Sequence, residues 1–441
     1  MSYFIAKVSP KPEKNSRKEN NFHCLIISTV IKSNFSYIKI WRKYEKIQGF
    51  LLVFLVLFAA LGCGSNGGSS PRPENDSPIN FENFYKSPKA PASPQPFNVK
   101  TAKEFVAGIK IGWNLGNTLD ANADWLGANP SVESLEKAWC GIVTTQANID
   151  AIKKAGFNAI RIPVSWTKCA NSNYIIRKDW MDRVTEVVNY AVKNDMYIIL
   201  NTHHDEGVFK FKNADKAKAI RAFKIIWGQI AVNFRNYNEK LIFEALNEPR
   251  TQGSAAEWNG GTAEERNNIN EYYQAFVEIV RASGGNNGNR FLLINPYAAS
   301  DSGTAMNALV IPNDTASNKI IVSYHSYSPY NFALNEDKTK NTWSESVSSD
   351  KTDITNAMDA YKAKFIDKGI PVLIGEFGAL NKNNTAVRQA WAKFYVSEAK
   401  KRGIPCFWWD NHGENDFLLL KRSDNTFPFQ GIVDALMDGV K

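Results

Sequence analysis

From about residue 98 to the C-terminus, short runs of β-branched and aromatic residues alternate with longer stretches whose apolar side chains recur every three or four positions. The first pattern is that of buried strands, the second that of amphipathic helices. Strands are expected at 109–115, 157–164, 196–203, 241–246, 291–295, 320–327, 371–377 and 405–409. Helical periodicity fills stretches such as 180–193, 215–235, 265–282, 353–367 and 386–401. Gly156, Gly369 and Gly403 each fall between a helical stretch and the next strand, where a left-handed residue ends a helix. Strands alternating with helices imply parallel βα units, and eight of them in about 340 residues predict a (β/α)8 TIM barrel. No G-x-G-x-x-G turn follows the first strand, so a dinucleotide-binding sheet lacks its signature.

The N-terminal stretch differs in kind. The chain has 441 residues and a net charge of +9, which by itself suggests nucleic acid. Residues 1–49, however, hold ten Lys/Arg against three acids, and the remainder carries 43 against 41. A body so nearly balanced has no field for gripping phosphates. A positive segment, Arg42-Lys43-Tyr44-Glu45-Lys46, precedes 14 uncharged residues at 49–62. That is an export-signal pattern, and it falls short of the roughly 18 residues of a spanning helix. The run ends in Ala60-Leu61-Gly62-Cys63, similar to a bacterial lipobox, in which Cys63 would be cleaved, acylated and become the new N-terminus. Beyond it, a Ser/Gly tract leads into a segment with seven of the 18 prolines, too poor in apolar surface to pack. The expected organisation is an N-terminal extension and signal at 1–62, a disordered linker at 63–97 and the barrel at 98–441. An extracytoplasmic location follows, with membrane contact only through Cys63.

A barrel carries its chemistry where the strands run out at their C-terminal ends. Those ends supply Asn114, Arg161, His203-His204-Asp205, Asn247-Glu248, His325-Ser326-Tyr327, Glu376 and Trp408-Trp409-Asp410-Asn411. Polar groups clustered at one buried mouth cost free energy unless paired, so the set asks for a function. Glu248 and Glu376 follow strands four and seven, which face each other across the mouth. Two converging carboxylates are the apparatus of glycoside hydrolysis, retaining when close and inverting when farther apart. For either acid alone, an ion pair with Arg161 or Arg250 is the competing explanation.

The segments carrying these residues resemble glycoside hydrolase family 5, most closely its subfamily 4, whose members are mainly endo-β-1,4-glucanases. The matching motifs are Ile111-Gly-Trp-Asn-Leu-Gly-Asn-Thr-Leu-Asp-Ala121, Phe157-Asn-Ala-Ile-Arg-Ile-Pro-Val-Ser-Trp166 and Asn201-Thr-His-His-Asp205. They continue with Phe243-Glu-Ala-Leu-Asn-Glu-Pro-Arg250, Glu257-Trp-Asn-Gly-Gly261, Tyr324-His-Ser-Tyr327, Ile374-Gly-Glu-Phe-Gly378 and Phe407-Trp-Trp-Asp-Asn411. After Asn411 the chain reads His412, where the family more often has glycine. The resemblance makes Glu248 the acid/base and Glu376 the nucleophile. The acid should need a raised pKa, from burial or a neighbouring negative charge. Asn114, Arg161, His203, His204, Asn247, His325, Tyr327 and Trp409 become the substrate-binding set, with Trp409 the floor beneath the sugar and Asn247 the partner of its 2-hydroxyl.

His203-His204-Asp205 also invites a metal reading. Adjacent residues on a strand point to opposite sides, so the two imidazoles are not expected to share an ion. No metal or cofactor is called for. Trp113, Trp125, Trp139, Trp166, Trp258 and Trp343 lie near strand ends, some to line subsites and about half to pack the core. Cys140 and Cys169 both belong on the top side and are candidates for a disulfide, while Cys406 reads as a buried thiol. The expectation is a monomeric, exported retaining endo-β-1,4-glucanase acting on a β-glucan polymer. The alternatives are the same mechanism on xyloglucan, mixed-linkage β-glucan or mannan, or a surface lipoprotein that binds glycans without cleaving them.

Overall fold

The computed structural model describes residues 78–441, so the leader at 1–62 and Cys63 lie outside the described residues. Eight parallel strands close on themselves in sequence order: β1 (Gly112–Leu115), β2 (Ala159–Ile162), β3 (Tyr197–Asn201), β4 (Leu241–Glu244), β5 (Leu292–Ile294), β6 (Ile320–His325), β7 (Val372–Phe377) and β8 (Cys406–Asp410). Strand β1 pairs with β2 on one side and β8 on the other, which completes the (β/α)8 barrel. Seven of the eight strands are shorter than their expected runs, β8 being the exception. At the mouth β2 to β6 stop one or two residues before their expected ends, so the last residues of those runs lie in loops. Gly156, Gly369 and Gly403 do end their helices at positive φ, 109°, 84° and 71°.

Two cores stabilise the barrel. The larger lies between the sheet and its ring of helices. The smaller fills the barrel itself with Ala159, Ile199, Ile242, Leu293, Ile321, Leu373 and Phe407. Its floor is the short helix Ala102–Gly108, whose Phe105 and Val106 close the N-terminal ends of the strands. Thr101 and Glu104 cap that helix reciprocally, satisfying amides that would otherwise be orphaned. With the lower barrel filled by hydrocarbon, the polar residues of the strands are confined to its upper half.

The linker expected over 63–97 is corrected in its second half. Residues 78–97 form a packed strap on the helices Lys178–Lys193 and Asn213–Phe234. Ser87 is buried and its backbone N–H donates to Asn233 Oδ1 at 2.7 Å. Tyr85 donates to Asp182 at 2.8 Å, Asn236 donates to the Pro91 carbonyl at 2.8 Å, and Phe81 and Phe84 meet edge to face. Composition misleads here because prolines lower the entropy of an extended segment, so a few aromatic and hydrogen-bond anchors hold it.

Candidate active site

The upper half of the barrel is organised around Arg161, on β2 and wholly buried. Its Nε and Nη2 donate to the Glu244 carboxylate at 2.6 and 3.1 Å. Its Nη1 donates to Glu376 Oε1 at 2.7 Å and to Asn114 Oδ1 at 3.0 Å, and Nη2 also donates to Asn247 Oδ1 at 2.8 Å. Burial alone would disfavour the cation, but the two carboxylates outweigh it and push the guanidinium pKa up. Asn114, also fully buried, donates to the carbonyls of Gly375, Phe407 and Trp408. The assignment of Asn114 and Arg161 to substrate contact is therefore corrected: both lie beneath the mouth and position the residues above them. Glu244 was not among the expected site residues. The signal was present, since an acid inside the apolar run Leu-Ile-Phe-Glu-Ala-Leu, two residues beyond the inward-facing Ile242, must also face inward.

Above this network the two candidate carboxylates converge. Glu376 on β7 takes the Tyr327 hydroxyl on Oε2 at 2.9 Å. Burial and the Glu376 charge hold that phenol well above its ordinary pKa, so it stays a donor. Glu248, in the loop beyond β4, meets His325 Nδ1 through Oε1 at 2.9 Å, and the same Nδ1 is 3.6 Å from Glu376 Oε2. Carboxylate oxygens of Glu248 and Glu376 lie within 4.8 Å of each other. Gly375 makes room for this: a Cβ there would stand 2.7 Å from Ser323 Oγ and 3.1 Å from His325 Nε2.

The expected raised pKa of Glu248 is not what the site shows. Burial does push the carboxyl up. The hydrogen bond from His325 and the charge of Arg250 outweigh it and hold Glu248 down, to about 2. Both acids thus make the arginine ion pairs that sequence offered as the alternative to catalysis: Glu376 with Arg161 and Glu248 with Arg250, at 2.7 and 3.3 Å.

His203 and His204 lie beyond the last residue of β3, where strand alternation no longer applies, and their rings come together with centroids 4.6 Å apart. With Asp120 they bring three ligand-type atoms within 4.8 Å of one another. The hydrogen bonds argue against an ion. Asn201 Oδ1 accepts from the Val164 N–H at 3.1 Å, which fixes the amide and leaves its NH2 facing His203 Nδ1 at 3.0 Å. Nδ1 must accept, so the proton of the neutral ring sits on Nε2 and neither nitrogen has a lone pair to give. Burial, then the neighbouring His204 and Arg161, keep this ring neutral, its pKa well below 6.5. His203 is instead a fixed donor lying flat against Trp409, the planes 4° apart at 5.7 Å. His204 leans on Trp139 and faces Glu206 at 3.3 Å.

Trp409 is partly exposed, as a sugar platform needs, whereas Trp408 is core with its indole N–H on the Phe417 carbonyl. Of the remaining tryptophans, Trp113, Trp166 and Trp343 are packing, Trp139 is half-buried, and Trp125 and Trp258 stand 67% and 48% exposed. Cys140 and Cys169 are both free thiols, so the candidate disulfide is absent. His412 holds φ at +62°, a left-handed conformation costing a non-glycine residue about 1 kcal/mol, which accounts for glycine being commoner there.

The model of the family described as cellulase (glycosyl hydrolase family 5) matches residues 119–415. The chain is similar to endoglucanase A of Clostridium longisporum, 44% identical over 358 residues, covering 80% of this chain and 68% of the relative. It is similar to endoglucanase 1 of Ruminococcus albus, 46% identical over 343 residues, covering 76% and 81%. Among solved structures it resembles a GH5-4 broad-specificity endoglucanase from Ruminococcus champanellensis with bound cellotriose. That match has a TM-score of 0.74 at 45% identity, covering 78% of this chain and all of that one.

Proposed function

The chain belongs to glycosyl hydrolase family 5 and is a retaining endoglucanase, and from that premise we propose that Glu376 is its nucleophile and Glu248 its acid/base. The observation that carries the retaining pair is the approach of their carboxylate oxygens within 4.8 Å, closer than the gap in which an inverting enzyme places its water, and the division of roles follows the family motifs in which the two residues stand. In the first half-reaction Glu376 attacks the anomeric carbon while Glu248 gives its proton to the departing glycosidic oxygen. In the second, water attacks the same carbon, the bond to Glu376 returns its electrons to the carboxylate, and Glu248 takes the water proton. A glucan chain laid over the cleft displaces water and deepens the burial that pushes Glu248 up, favouring its acid form for the first step.

Trp409 is the sugar platform, His203 Nε2–H and Asn247 are hydrogen-bonding partners, and His325 passes polarity between the two acids. A β-1,4-glucan as substrate is supported by the cellotriose bound to the Ruminococcus champanellensis relative. Loops 250–262 and 328–349 set the choice among cellulose, xyloglucan, lichenan and mannan. Every group named comes from one chain, so a monomer suffices. The lipobox-like Cys63 supports export and acylation, tested by radiolabelled palmitate incorporation that Cys63→Ala should abolish.

Reducing-sugar release from carboxymethylcellulose, xyloglucan, lichenan and mannan tests the activity, with Glu376→Gln as the blank. Release from one or more glucans, lost in both Glu376→Gln and Glu248→Gln, is expected. Near-wild-type turnover by either folded variant would remove that residue from its role.

A further inference from the structure

Arg250, two residues beyond Glu248, takes no part in the steps above, yet four groups converge on it. Its Nη1 donates to Glu248 twice, to the backbone carbonyl at 3.0 Å and to Oε2 at 3.3 Å. Its Nε donates to Glu257 Oε1 at 3.1 Å, Glu206 stands 3.8 Å away, and the guanidinium lies 4.7 Å over the Trp258 ring. Burial opposes the cation, but Glu248 and Glu206 outweigh it, so Arg250 stays charged. The two oxygens of Glu248 are therefore unlike. Oε1 meets His325, which can accept or donate, and Oε2 meets a cation that can only donate.

We propose that Arg250 is a positioning residue for the second half-reaction, stabilising the ionised Glu248 that must take a proton from the attacking water. The proposal rests on Glu248 being the acid/base of a retaining enzyme. In the glycosyl-enzyme the Glu376 carboxylate has become an ester and carries no charge. The charged groups then bearing on Glu248 are His325 when protonated, Arg250, and the acids Glu206 and Glu257 that Arg250 shields. Removing the cation exposes Glu248 to those acids and favours its protonated form, which cannot act as a base. The same guanidinium pins Glu257, which accepts the Gly253 N–H at 2.6 Å and so holds the loop bearing the exposed Trp258.

The test uses the full-length chain and 2,4-dinitrophenyl β-cellobioside, whose leaving group departs without a proton, so turnover reports deglycosylation. In that step the acid limb of kcat belongs to Glu248, because Glu376 is esterified. Arg250→Met should move the limb upward by about one pH unit and so lower kcat by up to about tenfold at pH values below the wild-type limb, with KM falling as the intermediate accumulates. Arg250→Lys should keep the wild-type limb. Glu257→Gln removes a competing carboxylate while leaving the cation, and should move the limb downward. An Arg250→Met limb that coincides with wild type, or a Glu257→Gln shift upward, overturns the proposal. If Arg250→Met does not fold, the sign of the Glu257→Gln shift decides. Absence of turnover by the wild-type chain on both this glycoside and lichenan would instead remove the enzymatic reading on which the proposal stands.

Discussion

Asn201→Asp isolates the His203 tautomer on a single atom. Asn201 gives its Nδ2–H to His203 Nδ1 at 3.0 Å and takes the Val164 N–H on Oδ1 at 3.1 Å. Aspartate is nearly isosteric and keeps the second contact, but it faces Nδ1 with an acceptor, so the imidazole must carry its proton there. A hydrogen bond to an ionised partner contributes about 1.5–3 kcal/mol, or about 1–2 pH units at 1.36 kcal/mol per unit. The ring pKa should therefore rise from its depressed wild-type position by that amount. While the ring remains neutral, Nε2 loses its proton and can no longer donate into the cleft. One lost sugar hydrogen bond, about 1–1.5 kcal/mol, lowers kcat/KM about tenfold. Long-range 1H–15N correlation on histidine-labelled protein distinguishes the tautomers, with the His203 signals assigned by difference against His203→Gln. Wild type should show the proton on Nε2 and Asn201→Asp on Nδ1. Wild-type protein with its proton on Nδ1, or a variant that keeps it on Nε2, refutes the assignment and restores His203 as a candidate ligand beside Asp120 and His204.

The strap predicts a coupling: Asn233→Ala in the full chain leaves the buried Ser87 N–H unpaired and should cost about 1–3 kcal/mol. In a chain beginning at Asn98 the same substitution should cost less, since Ser87 is gone and only the bond from Asn233 Nδ2 to Thr185 Oγ1 at 2.9 Å remains to be lost. Equal costs in both backgrounds, read by chemical denaturation, would show that 78–97 does not pack. Asp205 gives a pH prediction. Its Oδ1 accepts from Trp166 and Thr167 while Oδ2 is buried without a partner, and burial raises its pKa to about 6. Between the unfolded value near 4 and about 6 the native state holds a proton the unfolded chain has released, so stability falls as pH rises through that window. Asp205→Asn should flatten this slope and be relatively most stabilising near pH 7. Melting curves from pH 4 to 7 that run parallel for the two proteins would contradict it.

The barrel was legible in the sequence because strand–helix alternation and its glycine stops are local signals. The two carboxylates were legible because barrel topology converts position along the chain into position around the mouth. What escaped depends on three-dimensional neighbours. Strand β3 stops at Asn201, two residues short of the strand expected to His203, and that difference places His203 and His204 side by side when alternation would separate them. Asn114 and Arg161 lie at strand ends by sequence, but nothing in the sequence says how far down the mouth begins. The strap at 78–97 resembles a linker by composition, and only the complementary groups on two helices more than 90 residues away make it structure.

The choice between a buried ion pair and a catalytic acid, posed for each glutamate by sequence, is not a choice in the folded site. Each carboxylate has its own arginine, and the two arginines differ in what else they hold. Arg161 shares its charge between Glu376 and the fully buried Glu244, so Glu376 is fixed by a cation already half neutralised from below. Arg250 meets Glu248 from the loop side, among Glu206, Glu257 and the exposed Trp258, where the charge balance can respond to what lies in the cleft. A pair of identical side chains with identical environments would share one proton and perform one role. Here the proposed nucleophile is anchored to the barrel and the proposed acid/base to a surface loop, with His325 between them. That asymmetry suits the two proposed roles, one glutamate held rigidly for attack and the other placed where its surroundings can change between giving and taking a proton.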